Sequence, residues 1–177
     1  MNNQHKFKKG FTLIELLVVV AIISLLSSVV MASLRVARSK ARDSRRLSDM
    51  RQIQIALELY LDDNGQYPTG DSGACNGWDS SLDPAGSPAF ISLLAPNYIN
   101  PVPLEQIYDS NCLSGYLYNR YGAGSENCDA SRGAFYILEV PGMEDSGLIH
   151  PASPGFSCPG RNWQDEAKWV TGKFENG

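Results

Sequence analysis

The sequence predicts an α+β fold in which one long N-terminal helix packs on a small antiparallel sheet of three or four strands. Three observations predict it. No Gly or Pro occurs between Phe11 and Asn64, which leaves a helix free to run without interruption. After Leu34, the apolar positions Ala37, Ala41, Leu47, Met50, Ile53, Leu57 and Tyr60 recur mostly at spacings of three and four, the signature of one helical face. Downstream, short β-prone runs occupy 116–121, 134–140 and 168–171, separated by Gly- and Pro-rich stretches.

The helix opens on an apolar run from Phe11 to Leu34, and a single acid, Glu15, stands inside it. At about 1.5 Å per residue the run spans about 36 Å, enough for a bilayer core of roughly 30 Å. A carboxylate at such depth costs roughly 2.5–3.5 kcal/mol and calls for a partner. Continuing to Leu61, the helix reaches roughly 75 Å at the same rise. It should stop at Asp62-Asp63-Asn64-Gly65, where Gly65 suits a left-handed terminus and Pro68 forbids continuation.

Charge divides the chain. Residues 1–51 hold ten Lys/Arg against Glu15, Asp43 and Asp49, a balance of +7; the remainder carries five basic and sixteen acidic groups, a balance of −11. The basic face of the helix (Arg35, Arg38, Lys40, Arg42, Arg45, Arg46, Arg51) admits a nucleic-acid reading. Pairing such as Asp49 with Arg45, and solvated packing beside acidic neighbours, explains it without DNA, so no nucleic-acid contact is expected. Basic residues flank both sides of the apolar run, so the positive-inside rule does not settle orientation.

Four cysteines, Cys75, Cys112, Cys128 and Cys158, fall in the loop-rich remainder without a C-x-x-C pair. Behind a membrane segment they favour disulfides in an oxidising compartment over zinc. Three pairings exist; the two sequential loops, Cys75–Cys112 and Cys128–Cys158, are favoured, although sequence alone does not choose. Residues 69–87 read as loop, and Ser87-Pro88 as the start of a short helix through Phe90, Ile91, Leu93 and Leu94. A disulfide through Cys158 would pin the long excursion from Pro141 to Glu166. The aromatic residues Tyr60, Tyr67, Tyr116, Tyr118, Tyr136, Trp163 and Trp169 are read as packing rather than as an adhesive surface.

No catalytic signature is found: G-x-S-x-G, S-x-x-K, H-E-x-x-H and a phosphate-cradling Gly loop are all lacking, and of two histidines His5 precedes the apolar run and His150 sits in the excursion. The chain is therefore not expected to be an enzyme, and no cofactor is expected.

The basic start ending Lys8-Lys9-Gly10, the Gly10-Phe11 junction, and Glu15 four residues beyond Phe11 together resemble the type IV pilin and pseudopilin family. A second motif, Ala56-Leu57-Glu58-Leu59-Tyr60-Leu61-Asp62-Asp63-Asn64-Gly65-Gln66-Tyr67-Pro68, resembles the helix end of the major pseudopilin of type II secretion. The resemblance covers residues 1 to about 68. It implies a type IV pilin-like fold divided into a leader peptide (1–10), a transmembrane and assembly helix (11–34), an amphipathic helix (35–64) and a C-terminal globular domain with long loops (65–177). It implies cleavage between Gly10 and Phe11 by a prepilin peptidase, N-methylation of Phe11, and pairing of that new amine with Glu15 of an adjacent copy. The implied partners are further copies in a homo- or hetero-filament, an inner-membrane assembly platform and the membrane itself. The implied location is the inner membrane, single-pass with the C-terminal domain extracytoplasmic, and then an extracellular pilus or a periplasmic pseudopilus.

Major pseudopilins of type II secretion often bind calcium near the C-terminal loop. Here the Glu144-Asp145 and Asp165-Glu166 pairs are the oxygen donors to consider, although the family's ligands do not map onto them. Asp62-Asp63-Asn64-Gly65 lacks EF-hand spacing. The sequence departs from relatives that break the N-terminal helix with Pro or Gly, since its interior holds residues such as Ser24 and Ala32. Four cysteines are also atypical of the secretion pseudopilin. Three functions follow for comparison: a type IV pilus-like filament subunit, a type II secretion pseudopilin and, from a different class, a membrane-anchored extracytoplasmic binding domain. A cleaved secretory signal ending near Val30-Met31-Ala32 is the plainest alternative for the N-terminus, but the apolar run is long for one and Glu15 interrupts it.

Overall fold

The computed structural model describes residues 10–70, 75–82, 89–106, 111–144 and 149–176. It separates into two compact units, residues 1–39 and 40–177. Helix α1 (Leu13–Asn64) contributes to both. Its start and end lie two and three residues beyond the expected Phe11 and Leu61, within the ordinary fraying of helix boundaries.

In the first unit α1 presents its aliphatic side chains outward all round. The hydroxyls of Ser24, Ser28 and Ser33 donate back to the carbonyls of Val20 (2.7 Å), Leu25 (2.7 Å) and Val29 (3.2 Å). These three hydroxyls are thereby satisfied within the helix, as an apolar solvent requires. This part of α1 is long and apolar enough to cross a membrane. The helix ends because Gly65 adopts φ 71° and its N–H donates to the carbonyl of Leu61 at 2.8 Å, closing the last turn in a conformation that costs glycine little.

In the second unit four strands form one antiparallel sheet. They are β1 (Asp79–Ser80), β2 (Leu117–Tyr121), β3 (Phe135–Val140) and β6 (Trp169–Phe174), in the spatial order β1-β2-β3-β6. The register sets Tyr118 opposite Leu138, and Leu138 opposite Thr171. Because strand side chains alternate with period two, Tyr136, Leu138 and Val140 face α1. There they join Met50, Ile53, Ala56, Leu57, Tyr116 and Tyr118 in one core.

Phe135 and Ile137 point to the other face, into a second core with Leu117, Trp163, Val170 and Phe174. The excursion after β3 covers that face. It carries the two-residue hairpin β4 (Ser157–Cys158) and β5 (Arg161–Asn162) and the 3-10 turn Trp163–Asp165, and the Cys128–Cys158 disulfide ties it down. A second disulfide joins Cys75 to Cys112. With both faces covered, β3 buries all six residues.

The aromatic residues read as packing are buried, apart from the half-buried Tyr60. The helix expected near Phe90 is a 3-10 turn at Ser92–Leu94, and its expected start at Ser87-Pro88 lies outside the described residues.

The basic face of α1 departs from the solvated arrangement expected of it. Arg46 is buried, with a side chain only 6% exposed, and pairs with Asp43 (2.7 Å), Glu105 (2.7 Å) and Glu144 (3.3 Å). Arg42 also pairs with Glu144, whose backbone N–H donates to both oxygens of Asp43 at 3.0 Å. Burial opposes the charge of Arg46, but hydrogen bonds from its guanidinium to Glu105 and Asp43 outweigh that and raise its pKa above the ordinary arginine value. Asp49 is held by the Tyr116 hydroxyl at 2.8 Å, and the expected Arg45 pair is longer, at 3.9 Å. Arg46 therefore fastens one helix to two separate loops through charge-assisted bonds.

Glu139 is the opposite case. It stands on β3 between Leu117 and Val170, is 4% exposed, and its Oε2 has no hydrogen-bond partner among the described residues. Burial, reinforced by Glu166 and opposed by Arg161, pushes its carboxyl up to about 8.

Two stability measurements check these features. Replacing Arg46 with Ala strands its carboxylates and should cost about 3–5 kcal/mol in denaturant unfolding of the solubilised chain, with Arg46→Lys recovering part of the loss. For Glu139, the folded chain keeps a proton that the unfolded chain releases between about 4.5 and 8, so stability should fall as pH rises through that window. Glu139→Gln should abolish most of this fall and raise stability at pH 8 by on the order of 3–4 kcal/mol.

Candidate functional site

The site is the N-terminal turn of α1. Gly10 and Phe11 precede the helix outside any regular element; Phe11 is 88% exposed, and nothing crowds Gly10. Residues 1–9 of the expected leader lie outside the described residues.

Thr12 and Glu15 form a reciprocal cap. The Glu15 N–H donates to Thr12 Oγ1 at 3.3 Å, while the Thr12 N–H and hydroxyl both donate to Glu15 Oε2, at 2.9 and 2.8 Å. This is the capping box that a T-x-x-E spacing encodes, and it satisfies N–H groups that open every helix. The expectation for Glu15 left Thr12 out, although the spacing of the two residues is the signal that finds it.

The cap has a chemical consequence. Glu15 spends one oxygen inside its own chain, and Oε1 makes no hydrogen bond among the described residues. The carboxylate is thus oriented at the helix mouth with one oxygen open to a cationic donor. A helix N-terminus favours negative charge there through its dipole. The aliphatic side chains that follow, Leu16, Leu17, Val18 and Val19, are all exposed and supply apolar surface directly beside the acid.

The remaining candidates serve the domain. The four cysteines form the two disulfides described above. His150 is held locally: its backbone N–H donates to the Lys168 carbonyl at 2.7 Å, and its Nδ1 accepts from the Ala152 N–H at 3.1 Å. The carboxylates considered for calcium are engaged elsewhere: Glu144 by Arg42 and Arg46, Glu166 by Arg161, and Asp165 by Asn162. Asp145 lies outside the described residues. Among the described residues no three or more His, Cys, Asp or Glu side chains converge to hold a metal.

Residues 5–31 match the family described as the prokaryotic N-terminal methylation motif. Type II secretion system core protein G of Aeromonas hydrophila is 37% identical over 70 residues, covering 40% of this chain and 49% of that protein. The protein of the same name from Vibrio cholerae is 41% identical over 64 residues, covering 36% and 44%. The type IV wide pilus major component PilA4 of Thermus thermophilus is 42% identical over 59 residues, covering 33% and 45%. The chain spans about half the length of these curated relatives. No solved structure matches it. Residues 5–31 thus carry the prokaryotic N-terminal methylation motif, and the chain is similar over part of its length to type II secretion core proteins and to a type IV pilus component.

Proposed function

We propose that the chain is a prepilin: a structural, non-catalytic subunit that polymerises through its N-terminal helix into a type IV pilus-like filament. One observation carries the proposal. Glu15 is the sole ionisable side chain in the apolar run, and the Thr12 cap holds it in place with one oxygen open.

Cleavage after Gly10 would give Phe11 a new amine, four residues from Glu15. An amine and a carboxylate are each poorly tolerated alone in lipid, and the pair is far better tolerated together. When the amine comes from another copy, the contact is heterologous, and such contacts generate open helical assemblies when the rotation does not close. Methylation of Phe11 keeps that cation in place. The apolar residues of 11–34 would hold the subunit in the inner membrane, with the disulfide-bearing domain on the extracytoplasmic side, and would then fill the fibre core. Aliphatic burial at roughly 25 cal/mol per Å² supplies the cohesion, and the ion pair supplies register.

Similarity to the type II secretion core proteins supports a second reading, a pseudopilin in a short periplasmic fibre. The two readings share every step above and differ in where the fibre ends. The prepilin peptidase and an inner-membrane assembly platform are the partners both require. A membrane-anchored binding domain, the reading from another class, leaves Glu15 without a role.

Mass spectrometry of the mature chain should find N-methylated Phe11 at the N-terminus; Met1 or Ser33 there would refute the proposal. Glu15→Leu should leave cleavage after Gly10 intact and abolish fibres seen by electron microscopy, whereas normal fibres from that variant would remove the assembly role of Glu15.

A further inference from the structure

Helix α1 changes character after Leu34, where the apolar run gives way to Arg35-Val36-Ala37-Arg38. Arg35 and Arg38 are exposed, and neither makes an ion pair among the described residues. No Asp or Glu occurs between Glu15 and Asp43. The three- and four-residue spacings that pair charges along a helix therefore offer these two arginines nothing. Farther along, Arg42, Arg45 and Arg46 all have carboxylate partners. Lys40 is exposed and without an ion pair, but it has Asp43 three residues ahead of it.

Position along the helix separates Arg35 and Arg38 from Lys40. A bilayer has a hydrocarbon core of roughly 30 Å within about 40–45 Å overall, which leaves a headgroup layer of roughly 5–7 Å on each side. At about 1.5 Å per residue, Arg35 and Arg38 stand about 1.5 and 6 Å past Leu34, and Lys40 about 9 Å past it. Every helical Cα–Cβ bond tilts toward the N-terminus, so both arginine side chains lean back toward the apolar run. Long cationic side chains at the end of a spanning helix place their charge at that depth. Two permanent charges on the side that bears the domain also run against the positive-inside bias, and they call for a counter-charge there.

We propose that Arg35 and Arg38 bind the phosphate groups of anionic phospholipids in the outer leaflet of the inner membrane. The proposal rests on the membrane-anchored filament reading and names what holds the subunit before assembly. The planar guanidinium fork matches phosphate oxygens in paired, charge-assisted hydrogen bonds. A carboxylate from another protein is the rival occupant, and depth favours the lipid. Both arginines stand at the level of the headgroups, where phosphate surrounds a single subunit before any other chain arrives. Cleavage after Gly10 would also remove Lys6, Lys8 and Lys9, leaving Arg35 and Arg38 as the side-chain cations nearest the apolar run.

Lipid selectivity of the full chain tests the proposal. The chain is reconstituted in phosphatidylcholine vesicles that carry a trace of spin-labelled phosphatidylglycerol or of spin-labelled phosphatidylcholine. Electron paramagnetic resonance then gives the ratio of the two lipids immobilised by the protein. The parent should favour phosphatidylglycerol, and high salt should weaken the preference. Arg35→Gln with Arg38→Gln should lower the ratio at least about fivefold relative to the parent, the factor one basic residue contributes beside an anionic surface. The lysines ahead of Gly10 are common to parent and variant and cancel in that comparison. Arg35→Lys with Arg38→Lys should keep most of the preference, and Lys40→Gln should leave it unchanged. An unchanged ratio in the double glutamine variant, or an equal loss with Lys40→Gln, overturns the arginine site and leaves the filament reading standing. Sodium phosphate that weakens the preference more than sodium chloride of equal ionic strength shows a site for the free anion and overturns the assignment to lipid. A chain that does not enter the vesicles overturns both the site and the membrane-anchored reading.

Discussion

A carboxylate placed among aliphatic side chains must find hydrogen-bond donors, and this constraint organises the N-terminal half of the chain. Glu15 meets it in part with its own backbone. Thr12 supplies an N–H and a hydroxyl to a single oxygen, so the acid is held at the helix mouth rather than left to wander along an apolar surface. Half of the carboxylate's accepting capacity is still open. A side chain that is oriented but incompletely satisfied is suited to recognise a cation delivered by another molecule. The hydroxyls of Ser24, Ser28 and Ser33 show the contrast, because each of the three donates to a carbonyl of its own helix.

The C-terminal domain treats buried charge in two ways. Arg46 is surrounded by carboxylates from its own helix and from two loops, and that arrangement fixes how the loops lie on α1. Glu139, on the central strand, has apolar neighbours on both adjoining strands and retains its proton into the neutral range. A paired charge specifies geometry at little net gain in stability, whereas an unpaired one costs stability as soon as it ionises. The domain tolerates that cost because its sheet is covered on both faces, by α1 on one side and by the disulfide-tied excursion on the other.

Much of this was legible in the residues. The absence of Gly and Pro from 11–64, together with apolar spacing, located α1 to within three residues at each end. The three β-prone runs became β2, β3 and β6. The strands that were missed, β1, β4 and β5, have two residues each, too short to show a period. The second core was hidden for a related reason: Phe156 and Trp163 sit in a Gly/Pro-rich run with no periodicity, and only the fold brings them to Phe135. Arg46 was unreadable because its partners Glu105 and Glu144 lie 59 and 98 residues away. At the functional turn, Glu15 stood out by its surroundings, and Thr12 was written in the T-x-x-E spacing.

The central claim is that the acid of one copy meets the terminal amine of another. It can be measured directly by solid-state NMR on fibres grown from an equal mixture of two populations, one with a 15N-labelled Phe11 amine and the other with a 13C-labelled Glu15 carboxyl. Contact between the labels at ion-pair distance, within about 4 Å, is the predicted result. Fibres in which no such contact forms between differently labelled copies would contradict the account.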